Sequence, residues 1–319
     1  MLNKKDLQEL IEVARQHINL PAAVIEKDYY VTQTIHALSN IESECFRLVF
    51  AGGTCLAKAH KIVNRMSEDI DFKIEIKKDN NFSRSRLIKE LKEFRSKMKS
   101  SLIVPGLTVS EDLVCNEGKY QRVILKYPCS SQINSTLRPD LLLEFTLSDI
   151  RFSIENLSVK TIIESVLKEI TLFSSPQTQC VSIGETAIEK WVGLTRRIIA
   201  IEREYHHDDP TLVRHIYDLN AIKQAEKINA DFVTLAKSIV NNDAKQFKNQ
   251  HPEYSADPSA EISRSLTLLK NKPLWKKRYQ EFIETMVYNS IAIQDYVSAI
   301  KNLDNLSKTI IASLTHPQQ

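Results

Sequence analysis

The chain has 319 residues, 42% of them hydrophobic and 26% charged, the make-up of an ordinary globular protein long enough for one large domain or two modest ones. Lys and Arg number 43 against 40 Asp and Glu, and a net charge of +3 is too small to make the whole molecule a polyanion binder, so any basic surface must be local. No apolar run is long enough to span a bilayer, and five cysteines without a C-x-x-C pair argue against a disulfide framework or a zinc site and fit a reducing cytosol.

Met1 leads directly into Lys4, Lys5 and Asp6 rather than an apolar leader, so a cytoplasmic protein with no membrane segment is expected. Leu7, Leu10, Ile11, Ala14 and Ile18 form a helical stripe over residues 2–18. Pro21 opens a second helix, to about Leu38. It carries Glu26, Lys27, Asp28, Tyr29 and Tyr30, read as a charged helix start whose tyrosines pack on the core.

The stretch 45–74 is the most informative. A strand from Cys45 to Ala51 runs into Gly52-Gly53-Thr54, then a helix to about Asn64, a short loop and a second strand. With only six glycines in the chain, two in succession carry weight. They let the backbone turn sharply and approach a ligand closely, and the N–H groups of the following helix point back at the turn as an anion site. On the second strand Asp69 and Asp71 alternate with Ile70 and Phe72, so both carboxylates leave one face. A hard divalent cation would relieve their repulsion. A phosphate cradle beside two carboxylates is what nucleotide chemistry needs.

Arg84 to Ser101 has apolar residues at helical spacing (Leu87, Leu91, Phe94, Met98) and seven Lys or Arg on the rest. That is either a solvated helix face or a docking surface for a polynucleotide backbone. Strands are expected at Leu107–Leu113, Tyr120–Tyr127 and Asp140–Thr146, the last with Asp140, Leu142 and Glu144 on one face. Residues 156–180 are ambiguous, with a short helix near Thr161–Glu169. The Ser174-Ser175-Pro176-Gln177 turn marks a domain boundary, giving domains 1–178 and 179–319.

A helix over 185–204 begins with acidic residues, as its dipole favours. It sets Ile188, Trp191, Val192, Thr195, Ile198 and Ile199 on one side, with Lys190, Gly193 and Arg197 opposite. Apolar flanks on both sides imply a sandwiched helix. Lys190 and Arg197 then either bind phosphate in the gap that Gly193 leaves or pair with nearby carboxylates. Arg214 and Asp218, one helical turn apart, can pair with each other. His206 and His207 read as linker. Helices are expected at 211–226, 230–241, 258–270, 273–301 and 303–314. Trp275, followed by Lys276, Lys277 and Arg278, is either a core anchor or a phosphate-binding cluster.

These motifs resemble the AbiEii/AbiGii-type nucleotidyltransferase toxins of the DNA polymerase β-like superfamily. GGTCLAKAHKIVNRMSEDIDF is similar to that family's first motif, with Gly52, Gly53, Thr54, Leu56, Arg65, Ser67, Glu68, Asp69, Ile70 and Asp71 in its places. EKDYYV and RPDLLLEFTL also resemble family segments. Glu185, Thr186, Glu189, Lys190, Leu194 and Arg197, then Arg214, Tyr217, Asp218 and Leu219, match the third and fourth motifs. One position departs: His215 stands where the family commonly has Asp.

The resemblance implies an α/β polymerase β-like core with a mixed sheet, followed by an all-helical C-terminal domain. It implies Mg2+ (or Mn2+) on Asp69 and Asp71, with Glu144 as third carboxylate and Asp140 in reserve. Gly52, Gly53, Thr54, Arg65, Ser67 and Arg197 would bind nucleotide or phosphate, and Lys190 and Asp218 would join the two aspartates in catalysis. The implied activity is transfer of NMP from NTP to an acceptor, the 3′ end of tRNA or another RNA. The implied biology is the toxin of a type IV-like toxin–antitoxin or phage-defence system with a cognate antitoxin. Two alternatives are a kinase-like phosphotransferase acting on a protein and a non-catalytic nucleotide-binding module.

Overall fold

A computed structural model describes residues 2–77, 80–129, 137–173, 177–225, 231–288 and 294–315. The chain divides into two compact units, one of residues 1–61 and 66–182, the other of residues 62–65 and 183–319. Of the expected boundary turn, residues 174–176 lie outside the described residues.

The first unit is built on a seven-stranded mixed sheet of order β3-β4-β5-β2-β1-β7-β6. The strands are β1 (Phe46–Ala51), β2 (Asp69–Ile76), β3 (Thr108–Cys115), β4 (Tyr120–Lys126), β5 (Asp140–Leu147), β6 (Glu155–Ser158) and β7 (Gln177–Cys180). β2 runs antiparallel to β1 and parallel to β5. Alternation sorts the side chains. Ile70, Phe72 and Ile74 of β2 and Leu141, Leu143 and Phe145 of β5 are buried on one face, where the rings of Phe50, Phe72 and Phe145 follow one another at 5.4 and 5.9 Å. Asp69, Asp71 and Glu144 occupy the other face.

Helices α1 (Lys4–Arg15), α2 (Ala22–Ser39) and α4 (Arg84–Ser101) supply Leu7, Ile11, Ile25, Ile35, Leu91, Phe94 and Met98 to the core on the apolar face. Asn3 caps α1 through Asp6 N at 2.9 Å, and Ser83 caps α4. A five-residue helix, α5 (Ile162–Val166), starts on a capping box of Thr161 and Glu164.

Helix α3 (Gly52–Lys58) is shorter than expected. His60 Nε2 bonds the Val181 carbonyl at 2.8 Å and Lys61 turns left-handed at φ 57°, which ends the helix before Asn64.

The second unit is helical: α6 (Ile183–Glu202), α7 (Val213–Gln224), α8 (Asp231–Gln246), α9 (Pro252–Ala256), α10 (Pro258–Asn271), α11 (Pro273–Met286) and α12 (Tyr296–Thr315). α6 packs on α7, α8 and α10, and the fully buried Trp191 donates from Nε1 to Ser307 Oγ at 2.8 Å. The single helix expected over 273–301 is broken: α11 ends at Met286 and Val287 is extended in an antiparallel bridge with Arg65. The gap expected between 301 and 303 does not exist, because α12 runs through it.

Candidate active site

In the first unit β1 ends at Ala51, which pairs with Asp71. Gly52 follows at φ +76°, where a Cβ would lie 1.9 Å from Asp71 Oδ2. Both the backbone conformation and the close approach require glycine. Thr54 has no exposed surface, and its hydroxyl bridges Ser67 Oγ (2.9 Å) and the main-chain carbonyl oxygen of Asp69. The Gly-Gly-Thr turn is thereby tied to the head of β2.

On β2 both aspartates are half-buried. The parallel register sets Glu144 beside Asp71 and Leu142 beside Asp69. Asp140 sits opposite Lys126 of β4, ahead of the β2 pairing, so Glu144 is the acid that stands next to Asp71. The Tyr120 hydroxyl donates to Glu144 Oε1. Burial first, then this carboxylate, push the Tyr120 phenol up from its ordinary value.

Among the described residues no three His, Cys, Asp or Glu side chains converge as a preformed metal cluster. The donors nonetheless suit a hard divalent cation, since Mg2+ is commonly held by one or two carboxylates together with substrate phosphates rather than by an all-protein cage.

A buried network underlies Asp69. Lys27 of α2 is fully buried; its Nζ pairs with Glu68 and donates to the Arg138 carbonyl oxygen at 2.8 Å. Glu68 Oε2 also accepts from Arg138 N at 2.9 Å. Arg138 Nη1 in turn donates to Asp69 Oδ1 at 3.1 Å. Nearby, Asp28 pairs with Lys58 of α3 and accepts from Ile162 N at 2.7 Å. Tyr29 and Tyr30 pack in the core, in keeping with the sequence reading. Glu26 and Lys27, read there as part of a charged helix start, are instead buried, and that reading gave no role to Lys27 or to Arg138, which it named only within RPDLLLEFTL. No sequence signal marked Lys27: eight of the eighteen residues of α2 are polar or charged, yet the helix is buried almost all round, and a cation inside it must have a partner.

In the second unit Asp218 has no exposed surface and meets two cations. Arg65 grips it in a fork, Nε to Oδ1 and Nη2 to Oδ2, both 2.7 Å. Lys190 Nζ lies 2.9 Å from Oδ2. Burial alone would raise the Asp218 carboxyl, but Arg65 and then Lys190 hold it well below the ordinary carboxylate range. Asn64 is fixed on either side of its own peptide: its N–H donates to the Tyr217 hydroxyl at 3.3 Å and its carbonyl accepts from Tyr288 N at 3.1 Å.

For Lys190, then, the carboxylate partner left open by the sequence is Asp218. Arg197 likewise pairs with Asp209. The local Arg214–Asp218 pair is not what forms; Arg214 Nε donates to Thr211 O at 3.3 Å. Gly193 has open space where its Cβ would be. Burial, then Lys190, push His215, the residue that departs from the family pattern, well below its ordinary value. Trp275 is buried, with the Arg278 guanidinium 4.9 Å from its ring centre and engaged by Asp208, so it is a core anchor. His206 and His207 are exposed.

The predicted residues therefore gather in two groups. Gly52, Thr54, Ser67, Asp69, Asp71 and Glu144 meet around the head of β2 in the first unit, and Arg65, Lys190 and Asp218 form a buried trio in the second.

The family model for the nucleotidyl transferase AbiEii toxin of type IV toxin–antitoxin systems matches residues 38–302. The chain belongs to that family. It is a nucleotidyltransferase toxin, with a nucleoside triphosphate as substrate and an antitoxin as partner. Among solved structures, the nucleotidyltransferase toxin MenT4 from Mycobacterium tuberculosis H37Rv matches with 15% identity and a TM-score of 0.40, over 96% of this chain and 99% of that one. No curated protein matches the sequence. Among the described residues no helix is long and apolar enough to cross a membrane.

Proposed function

We propose that the protein transfers a nucleoside monophosphate from an NTP to the 3′ end of a tRNA in a reaction dependent on Mg2+ or Mn2+, and that this arrests growth as part of a phage-defence system. The observation that carries the catalytic reading is the face shared by Asp69, Asp71 and Glu144, with the Gly52 backbone pressed against the Asp71 carboxylate. The tRNA acceptor and the defence role rest on the family.

In this reading Asp69 and Asp71 hold the cation, and Glu144, in register beside Asp71, is the third carboxylate. A divalent cation held there would supply Lewis-acid charge to the triphosphate and make the acceptor hydroxyl easier to deprotonate. The backbone N–H groups of Gly52, Gly53 and Thr54 receive phosphate oxygens, while the buried Thr54 hydroxyl fixes the turn. Ser67 lies at the same turn, bonded to Thr54. Lys190 neutralises charge developing on the transferred phosphate. Asp218 orients Lys190, whose Nζ lies 2.9 Å from its Oδ2, and Arg65 completes that trio. Arg197, with Asp209, contributes to nucleotide binding.

The test is incubation of purified protein with Mg2+, each of the four α-32P NTPs and total tRNA, beside Asp69→Ala. Label entering tRNA with the wild type and at least 100-fold less with a folded Asp69→Ala is the expected outcome (~100-fold being the scale of losing one charge-stabilising group). Label in protein rather than RNA would overturn the acceptor. Transfer from γ- but not α-labelled NTP would overturn nucleotidyl transfer in favour of a kinase-like reaction.

A further inference from the structure

Arg138 has a fixed root and an exposed head. Its main chain is clamped from both sides, the N–H by Glu68 at 2.9 Å and the carbonyl by Lys27 Nζ at 2.8 Å. The clamp is itself an ion pair whose side chains are 0% and 9% exposed. By contrast the Arg138 side chain is 49% exposed, and among the described residues its hydrogen bond goes to Asp69, whose side chain is 26% exposed. A screened pair of this kind contributes little and opens readily. Its acceptor, Asp69 Oδ1, belongs to a carboxylate assigned above to a divalent cation. A guanidinium and a dication at the same carboxylate repel each other. A guanidinium turned away from Asp69 on so short a tether would be left beside the triphosphate, the group whose geometry it matches best.

We propose that Arg138 is a guanidinium latch: it competes with the divalent cation for Asp69 and, when the cation takes that carboxylate, pairs with phosphate oxygens of the nucleoside triphosphate. Cation and nucleotide then bind with positive coupling, because each favours the same position of one side chain. The proposal rests on the reading of Asp69 as a cation ligand. It differs from a simple positioning role for Arg138, in which removing the side chain would weaken cation binding by leaving Asp69 unsupported.

The two roles predict opposite signs. Mn2+ is titrated without nucleotide into wild type, Arg138→Met, Arg138→Lys and Asp69→Asn, following bound metal by electron paramagnetic resonance. Arg138→Met should bind Mn2+ about fivefold more tightly than wild type, the scale of one exposed ion pair. Arg138→Lys, which keeps the charge, should stay near wild type. In a second titration with Ca2+ and non-turning-over NTP, Arg138→Met should bind nucleotide about tenfold more weakly, the scale of a lost charged hydrogen bond. Equal or weaker Mn2+ binding by Arg138→Met overturns the latch while leaving the cation reading intact, provided Asp69→Asn binds Mn2+ more weakly. Wild-type Mn2+ affinity in Asp69→Asn overturns both. Every substitution keeps the main-chain clamp, so Arg138→Met and Arg138→Lys should keep the wild-type thermal midpoint to within the small contribution of one exposed ion pair.

Discussion

Lys27 has no contact with solvent, and its ammonium is enclosed by Glu68 and the Arg138 carbonyl. Desolvating two ions offsets most of their attraction, yet removing one partner leaves the other stranded. Lys27→Met should therefore lower stability by about 3–5 kcal/mol. Lys27→Met combined with Glu68→Gln should recover part of that loss, because no buried charge is then uncompensated. Urea denaturation of the two variants measures both; a single variant as stable as wild type would show that the pair is not sealed from water. The same residues show where sequence reading stops at this scale. Asp69 and Asp71 were legible because period-two alternation sets them on one face without reference to the rest of the chain. Lys27 lies 41 residues from Glu68 and Arg138 another 70 beyond that, and no local pattern states that such residues meet.

At the scale of elements, the turn from β1 into α3 holds the tightest steric constraint. Gly52→Ala would place a methyl group 1.9 Å from Asp71 Oδ2 and force an alanine to φ +76°, so either the carboxylate or the turn must move. The cost should be about 1–3 kcal/mol of strain, together with a loss of Mn2+ affinity, read by thermal denaturation and metal titration of one variant. Unchanged metal affinity would separate the turn from the carboxylate site. The Gly-Gly signal and the span of α4, Arg84–Ser101, were both readable from sequence. The partners of the α4 cations were not. Arg84 pairs with Glu117, Arg86 with Glu90 at 3.6 Å, Lys89 with Glu93 at 4.0 Å and Lys99 with Asp112 at 3.2 Å. Moreover, the Phe94 ring lies 5.2 Å from that of Phe46, tilted by 42°, which puts α4 on the apolar face of the sheet, across from the carboxylates. This basic helix is therefore a solvated face carrying ion pairs, and its cations do not line the carboxylate site. Where α3 and α11 stop was hidden for a related reason: His60 and Val287 leave helical geometry for partners at Val181 and Arg65, far away in sequence.

At the scale of the whole molecule, the mixed sheet followed by helices was legible from the change of hydrophobic period, and the family from its motifs. The assignment of residues 62–65 to the second unit was not, because it depends on Arg65 finding Asp218, 153 residues later. That trio carries two cations and one carboxylate out of water, and its stability is tied to pH through the carboxylate. Asp218 titrates below its ordinary value of 3.8, so the folded state holds its proton less tightly than the unfolded chain does. The contribution is thus fully present above the unfolded value and is lost as pH falls below 3.8 towards the depressed value. Asp218→Asn lacks this dependence and leaves Arg65 and Lys190 facing each other without an anion, at a cost of about 3–5 kcal/mol near neutrality. The difference in stability between wild type and Asp218→Asn should therefore be constant between pH 7 and 5 and shrink as acid protonates the wild-type carboxyl. Titrating groups distant from Asp218 are common to both proteins and cancel in the difference; His215, which Asp218 raises, does not, so both proteins are compared in a His215→Gln background. Urea midpoints of the two proteins at pH 7, 5 and 3 measure it. A gap that stays the same at pH 3 would mean that Asp218 does not carry the ionised charge on which the trio depends.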